Sequence, residues 1–232
     1  EFHSSYLTGY TFGMEVLVWI LFFLLGSVVG SFLMVVVVRH GSGEPFVFSR
    51  SRCPSCRRAL SALELIPLFS FIFLWGRCRN CRAPLGALYP VSEFLSGLLF
   101  LGILGKLYPY ASPFSFSAIL STLYLFVVMS FLMLIFLYDV KEKVIPDVFV
   151  YPFIALSLVP IFVSFLPFSL SAGDGIRALA GPLIAAPLFL LWALSRGKWI
   201  GFGDVKLALG MGWFLGFSGG VTALMIAIWS GA

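Results

Sequence analysis

Charged side chains are scarce in this sequence, and histidine is almost missing. Only 11% of the 232 residues are Asp, Glu, Lys or Arg, against roughly a quarter in a soluble domain. With 60% hydrophobic residues and a mean hydropathy of +1.05, a soluble enzyme or binding module is excluded: the chain is an integral membrane protein. The two histidines, His3 and His40, accompany none of the acidic segments. No His-Glu-x-x-His pair and no Gly-x-Ser-x-Gly elbow occurs, so metallopeptidase and serine-hydrolase chemistries lack their parts. Neither internal repeats nor low-complexity segments are evident.

What is abundant is apolar length. Stretches long enough to cross about 30 Å of hydrocarbon run over Val16–Val38, Ala87–Gly105, Pro113–Tyr138, Val148–Gly173, Ala178–Ser195 and Leu207–Ala232. They predict an all-α polytopic membrane protein of about six or more transmembrane helices. The last stretch carries Gly210, Gly212, Gly216, Gly219 and Gly220, which predicts a broken helix or a re-entrant pair. Glu93 lies inside the second stretch, where a buried acid hydrogen-bonded within the bundle is the expected role.

The net charge of +5 matters less than its placement. Alternating the spans from an outside N-terminus puts thirteen of the fifteen basic residues on one side and leaves Lys106 and Arg177 opposite. Positive residues stay in the cytoplasm, which fixes the orientation. Residues 1–13 precede Met14 and resemble neither a signal peptide nor a helix; they are read as an expression remnant or a short external N-terminus. Residues 14–38 form the first span, 39–86 a cytoplasmic module, and 87–232 the remaining helix bundle, expected to be shortened at its C-terminus.

All four cysteines fall in the module, as Cys53-Pro-Ser-Cys56 and Cys78-Arg-Asn-Cys81. Two Cys-x-x-Cys knuckles supply four thiolates for tetrahedral zinc. A cytoplasmic location disfavours disulfides, and so small a module needs a metal to hold it. Paired disulfides, free thiols or a redox pair are the alternatives. The interleaved arginines, Arg50, Arg52, Arg57, Arg58, Arg77, Arg79 and Arg82, are read as anchors on an anionic lipid surface rather than a nucleic-acid site. The intervening "LELIPLFSFIFLWG" suits the membrane interface.

Three aspartates sit at one depth. Asp139 ends the third span, Asp147 opens the fourth, and Asp204 opens the sixth within "GFGDVK". Two carboxylates in a partly desolvated site cannot both ionise easily; one keeps a proton while the other acts as base on a shared water. Asp139 and Asp204 are the candidate pair, with Gly201 and Gly203 letting the backbone turn and a substrate strand approach. Simpler roles compete: Asp204 as a helix cap, Asp139 paired with Lys143, and Asp147 as a cap after Pro146.

These stretches, "GSVVGSFLMVVVVR", "RSRCPSCRRAL", "LIPLFS", "GRCRNC", "YPVSE", "DVKEKVIPD" and "GFGDVKLALG", together resemble bacterial type IV prepilin peptidases, a group of Gly-x-Gly-Asp intramembrane aspartyl proteases. The resemblance implies catalytic Asp139 and Asp204 and zinc on Cys53, Cys56, Cys78 and Cys81. It further implies prepilin or type II secretion pseudopilin substrates, cut at the cytoplasmic face of the bacterial inner membrane after a glycine and before a residue that is usually phenylalanine. Methylation of the new N-terminus with S-adenosylmethionine is implied as well, although no glycine-rich nucleotide loop marks a place for that donor. About eight spans are usual in such proteins. Two other readings compete: a presenilin-like or signal-peptide-peptidase-like intramembrane protease, and a transporter or assembly factor whose acids carry ions and whose zinc module docks a partner.

Overall fold

The computed structural model describes residues 2–40, 50–107, 116–162 and 174–230, with the backbone alone for 2–14 and 174–177. Eight α-helices appear there: α1 Phe2–His40, α2 Phe69–Phe73, α3 Leu88–Leu107, α4 Phe116–Glu142, α5 Asp147–Ser157, α6 Val159–Phe162, α7 Asp174–Ser195 and α8 Phe202–Ser230. The described residues hold no β-strand, only two isolated bridges in the cysteine module. Five helices are long and apolar enough to cross a membrane: Glu15–His40 of α1, then α3, α4, Ala178–Ser195 of α7, and α8. The predicted all-α membrane architecture is therefore present.

Two details differ from expectation. Residues 2–13 continue α1 rather than standing apart from it. A helix already propagating adds residues easily, and this stretch has no proline to stop it. The fourth apolar stretch is not one rod: α5 ends at Ser157 and α6 starts at Val159. Pro160 offers no N–H to the α5 carbonyls, which breaks the ladder there. The expected end of that span, 163–173, lies outside the described residues.

The last span is a broken helix, one of the two forms its glycines predict. Only Gly216 breaks α8, with φ 76 and ψ 178, a left-handed φ that glycine takes at little cost. Others serve close packing. A Cβ on Gly212 would stand 2.7 Å from the Ala180 carbonyl oxygen, and one on Gly220 2.8 Å from Ile184. Absent side chains thus let α7 and α8 approach, and Trp213 Nε1 adds a hydrogen bond to the Ala178 carbonyl at 2.8 Å.

The chain divides into two compact units, Glu1–Pro109 and Tyr110–Ala232. In the first, α1 packs on α3 through small residues. A Cβ on Gly26 would sit 2.5 Å from the Ser96 carbonyl oxygen, and Gly30 is equally hemmed in by Ser92 and Ser96. Gly26 and Gly30 are four apart, so both face α3, the spacing that lets membrane helices touch backbone to backbone. Buried Ser27 and Ser92 return their hydroxyls to their own helices, at Phe23 O (3.0 Å) and Tyr89 O (2.8 Å). In the second unit, α5 buries Phe149, Val150 and Phe153. The Tyr124 hydroxyl ties α4 to its C-terminal end by donating to Leu156 O at 3.0 Å.

Candidate active site and zinc module

Asp139 lies in the last turn of α4 with its side chain exposed. Lys143 follows with φ 56 and gives its backbone N–H to the Asp139 carbonyl at 2.7 Å, closing the helix by a left-handed residue. Among the described residues Lys143 forms no ion pair with Asp139; that expected partnership is replaced by a backbone cap. The chain then passes through Val144, Ile145 and Pro146 into α5.

Asp204 is the third residue of α8 and half-buried. Its Oδ2 accepts the Gly201 backbone N–H at 3.1 Å, while its own N–H reaches Gly201 O at 3.3 Å. This is the returning half of a capping box, so Asp204 does hold the helix start. The Asp139 carboxylate is near enough for its charge to be felt at Asp204. Neither Gly201 nor Gly203 takes a left-handed φ, so neither is kept for a turn that only glycine can make. Close approach is what excludes a side chain at 203: a Cβ there would lie 2.8 Å from Ile145 Cβ. The first turn of α8 is thereby pressed onto the α4–α5 connection.

A second contact clamps the same junction. Lys206 Nζ lies 2.6 Å from Asp147 Oδ1 and stands over the rings of Tyr151 and Phe202, 4.9 and 5.1 Å from their centres. Pro146, not Asp147, occupies the cap position of α5. The expected cap at Asp147 is corrected to an ion pair across 59 residues. Sequence spacing holds no sign of this pair or of Ile145 under Gly203.

The four cysteines form one cluster, every Sγ within 4.8 Å of the others. Cys53 and Cys81 sulfurs are 3.8 Å apart and Cys56 and Cys78 4.0 Å. Bonds of about 2.3 Å to a tetrahedral zinc place ligand sulfurs about 3.8 Å apart, so the donor set fits that ion. No disulfide joins the four thiols. The knuckles repeat each other 25 positions on. Arg57 and Arg82 take φ 55 and 56 and give their N–H to Cys53 O and Cys78 O. Cys53 and Cys78 bond in turn to Arg58 O and Ala83 O. The sequence therefore does hold a short internal repeat, hidden because only the cysteines and a few neighbours match.

Backbone donors favour thiolates. The N–H groups of Cys81 and Asn80 bring Cys78 down to about 6, and that of Arg58 lowers Cys56. Ala83 N–H likewise favours the Cys81 thiolate, but burial and the adjoining sulfurs override it and push it up to about 11. Four thiolates this close repel unless a cation lies among them. Between the knuckles, Arg58 pairs with Glu64, whose carboxylate also receives Ser61 N–H at 2.9 Å. The linking segment leaves Leu63, Ile72, Phe73 and Trp75 at 68–87% exposure, an apolar surface of the kind expected at the membrane interface. Glu93 is buried in α3 as expected, but the N–H that it accepts at 2.7 Å belongs to Leu68 of the cysteine module rather than to the helix bundle.

Known proteins match both parts of this arrangement. The bacterial peptidase A24 N-terminal domain matches residues 24–107, and the type IV leader peptidase family matches 126–232. Over 246 residues the chain is 32% identical to the prepilin leader peptidase/N-methyltransferase of Aeromonas hydrophila, covering 95% of this chain and 81% of that one. The protein of the same name from Bacillus subtilis (strain 168) is 29% identical over 218 residues, 90% and 79% of the two chains. That from Burkholderia pseudomallei (strain 1026b) is 33% identical over 235 residues, 90% and 72%. No solved structure matches. Because the cysteine module and the aspartate-bearing helices are matched in order and nearly end to end, the chain belongs to the type IV leader peptidase family.

Proposed function

We propose that the chain is a membrane aspartyl endopeptidase using Asp139 and Asp204. It removes the leader of type IV prepilins or type II secretion pseudopilins after glycine, at the cytoplasmic face of the bacterial inner membrane. The observation that carries this reading is the junction itself: the turn bearing Asp204 is pressed by Gly203 onto Ile145, six residues after Asp139. One carboxylate takes a proton from water, and the hydroxide attacks the scissile carbonyl. The other carboxyl, protonated at the start, passes its proton to the departing amide nitrogen. Zinc would be held by Cys53, Cys56, Cys78 and Cys81 and would act structurally. Lipid is the partner of the apolar link between the knuckles. The side of the membrane is supported by the basic residues, thirteen of fifteen on the proposed cytoplasmic side. Methylation of the new N-terminus with S-adenosylmethionine rests on the relatives' names.

Incubation with a prepilin peptide and mass spectrometry tests the reading. Leader loss is expected from the unaltered chain and from neither Asp139→Asn nor Asp204→Asn, since an amide holds no transferable proton and is no base. Both variants must stay monodisperse and keep zinc. Cleavage by both single variants would end the aspartyl reading; loss in Asp147→Asn with near-normal Asp139→Asn would move the first acid to Asp147.

A further inference from the structure

The first unit holds a cavity of about 150 Å³ where the first knuckle meets α1 and α3, lined among others by Ser31, Arg39, Cys53, Tyr89 and Glu93. Two of these carry opposite charge and are more than nine-tenths buried: Arg39, 8% exposed, and Glu93, 7%. Arg39 Nη2 donates to Arg50 O at 3.1 Å. Glu93 Oε2 accepts Leu68 N–H at 2.7 Å, and Ser31 bonds to the same side chain. Burying charge is expensive unless the group has polar partners, and both groups keep such partners in the cavity wall. A cavity with a buried cation and a buried anion on its wall, and Val35, Leu60 and Phe71 as apolar lining, complements a small zwitterion with a hydrophobic tail.

We propose that this cavity binds the methionyl end of S-adenosylmethionine, with Arg39 receiving the α-carboxylate as a planar fork and Glu93 facing the positive end of the ligand. This rests on the methyltransferase part of the proposed function. The volume is below the roughly 300–1,000 Å³ of sites that engulf a whole drug-sized ligand, so the cavity would take the methionyl end alone. In the transfer, a bond forms between the pilin amine nitrogen and the methyl carbon as the sulfur–methyl bond breaks. The sulfonium becomes a neutral thioether, and the amine sheds its extra proton to solvent.

Equilibrium binding of S-adenosylmethionine to the zinc-loaded full chain in detergent is the test, with leader cleavage read on the same samples. The unaltered chain and Asp139→Asn should bind alike. Arg39→Gln and Glu93→Gln should each weaken binding at least tenfold while leader cleavage is kept. Free methionine in excess should compete, and adenosine should not. Val35→Phe, which fills the cavity without touching either charge, should weaken binding equally and covers the case where a charge variant fails to fold. Unchanged affinity in folded Arg39→Gln and Glu93→Gln overturns the site, as does an unaltered chain that binds no donor. Cleavage without donor binding would sink this site and leave the peptidase standing. Donor binding lost in these variants, in a chain that never cleaves, would do the reverse.

Discussion

Lys206 reaches across 59 residues to place its Nζ 2.6 Å from Asp147 Oδ1, two positions beyond Asp204. The pair ties the start of α5 to the first turns of α8. With Asp147 more than half exposed, its direct worth in stability is small, about 0.2–1 kcal/mol. Its effect on geometry is larger, because misplacing a reacting group by about 1 Å can cost about 100-fold in rate. Lys206→Met should therefore lower kcat/KM for a prepilin peptide by roughly 10- to 100-fold with little change in thermal midpoint. The exchange Asp147→Lys with Lys206→Asp should recover part of that loss. Independent, additive losses in a double-mutant cycle would show that the pair does not position the site.

Gly203 and Ile145 make a sharper test. A methyl group at 203 has no room, since it would meet Ile145 Cβ at 2.8 Å, and overpacking of this kind costs about 1–3 kcal/mol. Gly203→Ala should impair cleavage with both acids present. Adding Ile145→Ala should restore much of it by opening the space. If the glycine were kept only for an incoming substrate strand, the second substitution would rescue nothing. Steady-state kinetics of the single and the double variant decide the matter.

Much of this molecule was legible in its sequence because the membrane makes strong demands. Long uncharged runs call for membrane helices, and four cysteines in two knuckles have few uses other than to hold a metal. Asp139 and Asp204 stood out because acids beside hydrocarbon are costly. The contacts that set their geometry were not legible. Nothing local links Asp147 to Lys206 or Gly203 to Ile145, since both pairings depend on how α8 folds back onto the α4–α5 connection. The glycines of α8 look alike in sequence, yet Gly216 bends the helix while Gly212 and Gly220 admit α7. Only the neighbours distinguish them.

The sulfur spacing predicts how the module responds to metal loss. Cys53→Ser removes a buried ligand, and the knuckles should lose bound zinc and open to protease while the spans remain inserted. Metal analysis of carefully purified protein should find one zinc per chain, and a strong chelator should mimic the substitution. Absence of zinc, with Cys53–Cys56 and Cys78–Cys81 oxidised in pairs, would overturn the assignment.

Acid should loosen the same module for a separate reason. Ser61 backbone N–H, together with Arg58, holds the Glu64 carboxylate below its ordinary value. A group lowered in the folded state contributes stability above its unfolded value and loses it as pH falls through the folded one. Protection of the segment from proteolysis should therefore decline below about pH 4.5, the ordinary value. Glu64→Gln should be less protected at neutral pH and show a flatter acid response. An unchanged acid profile in that variant would assign the loss to other groups.

Trp75 is 87% exposed between Phe73 at 77% and the buried Gly76, an unusual position for so large an aromatic ring in a polar module. Its amphipathic ring suits the headgroup level of a bilayer, and Leu63, Ile72 and Phe73 supply apolar area beside it. In vesicles, a quencher attached at shallow lipid depth should reduce the fluorescence of the unaltered chain more than that of Trp75→Phe, the difference reporting Trp75 alone. Phe73→Ser together with Ile72→Ser should diminish that difference and free the module to move, seen as faster proteolysis between the knuckles with zinc still bound. If Trp75 is quenched by a water-soluble agent as readily in vesicles as in a peptide, the surface does not meet lipid and must face another protein.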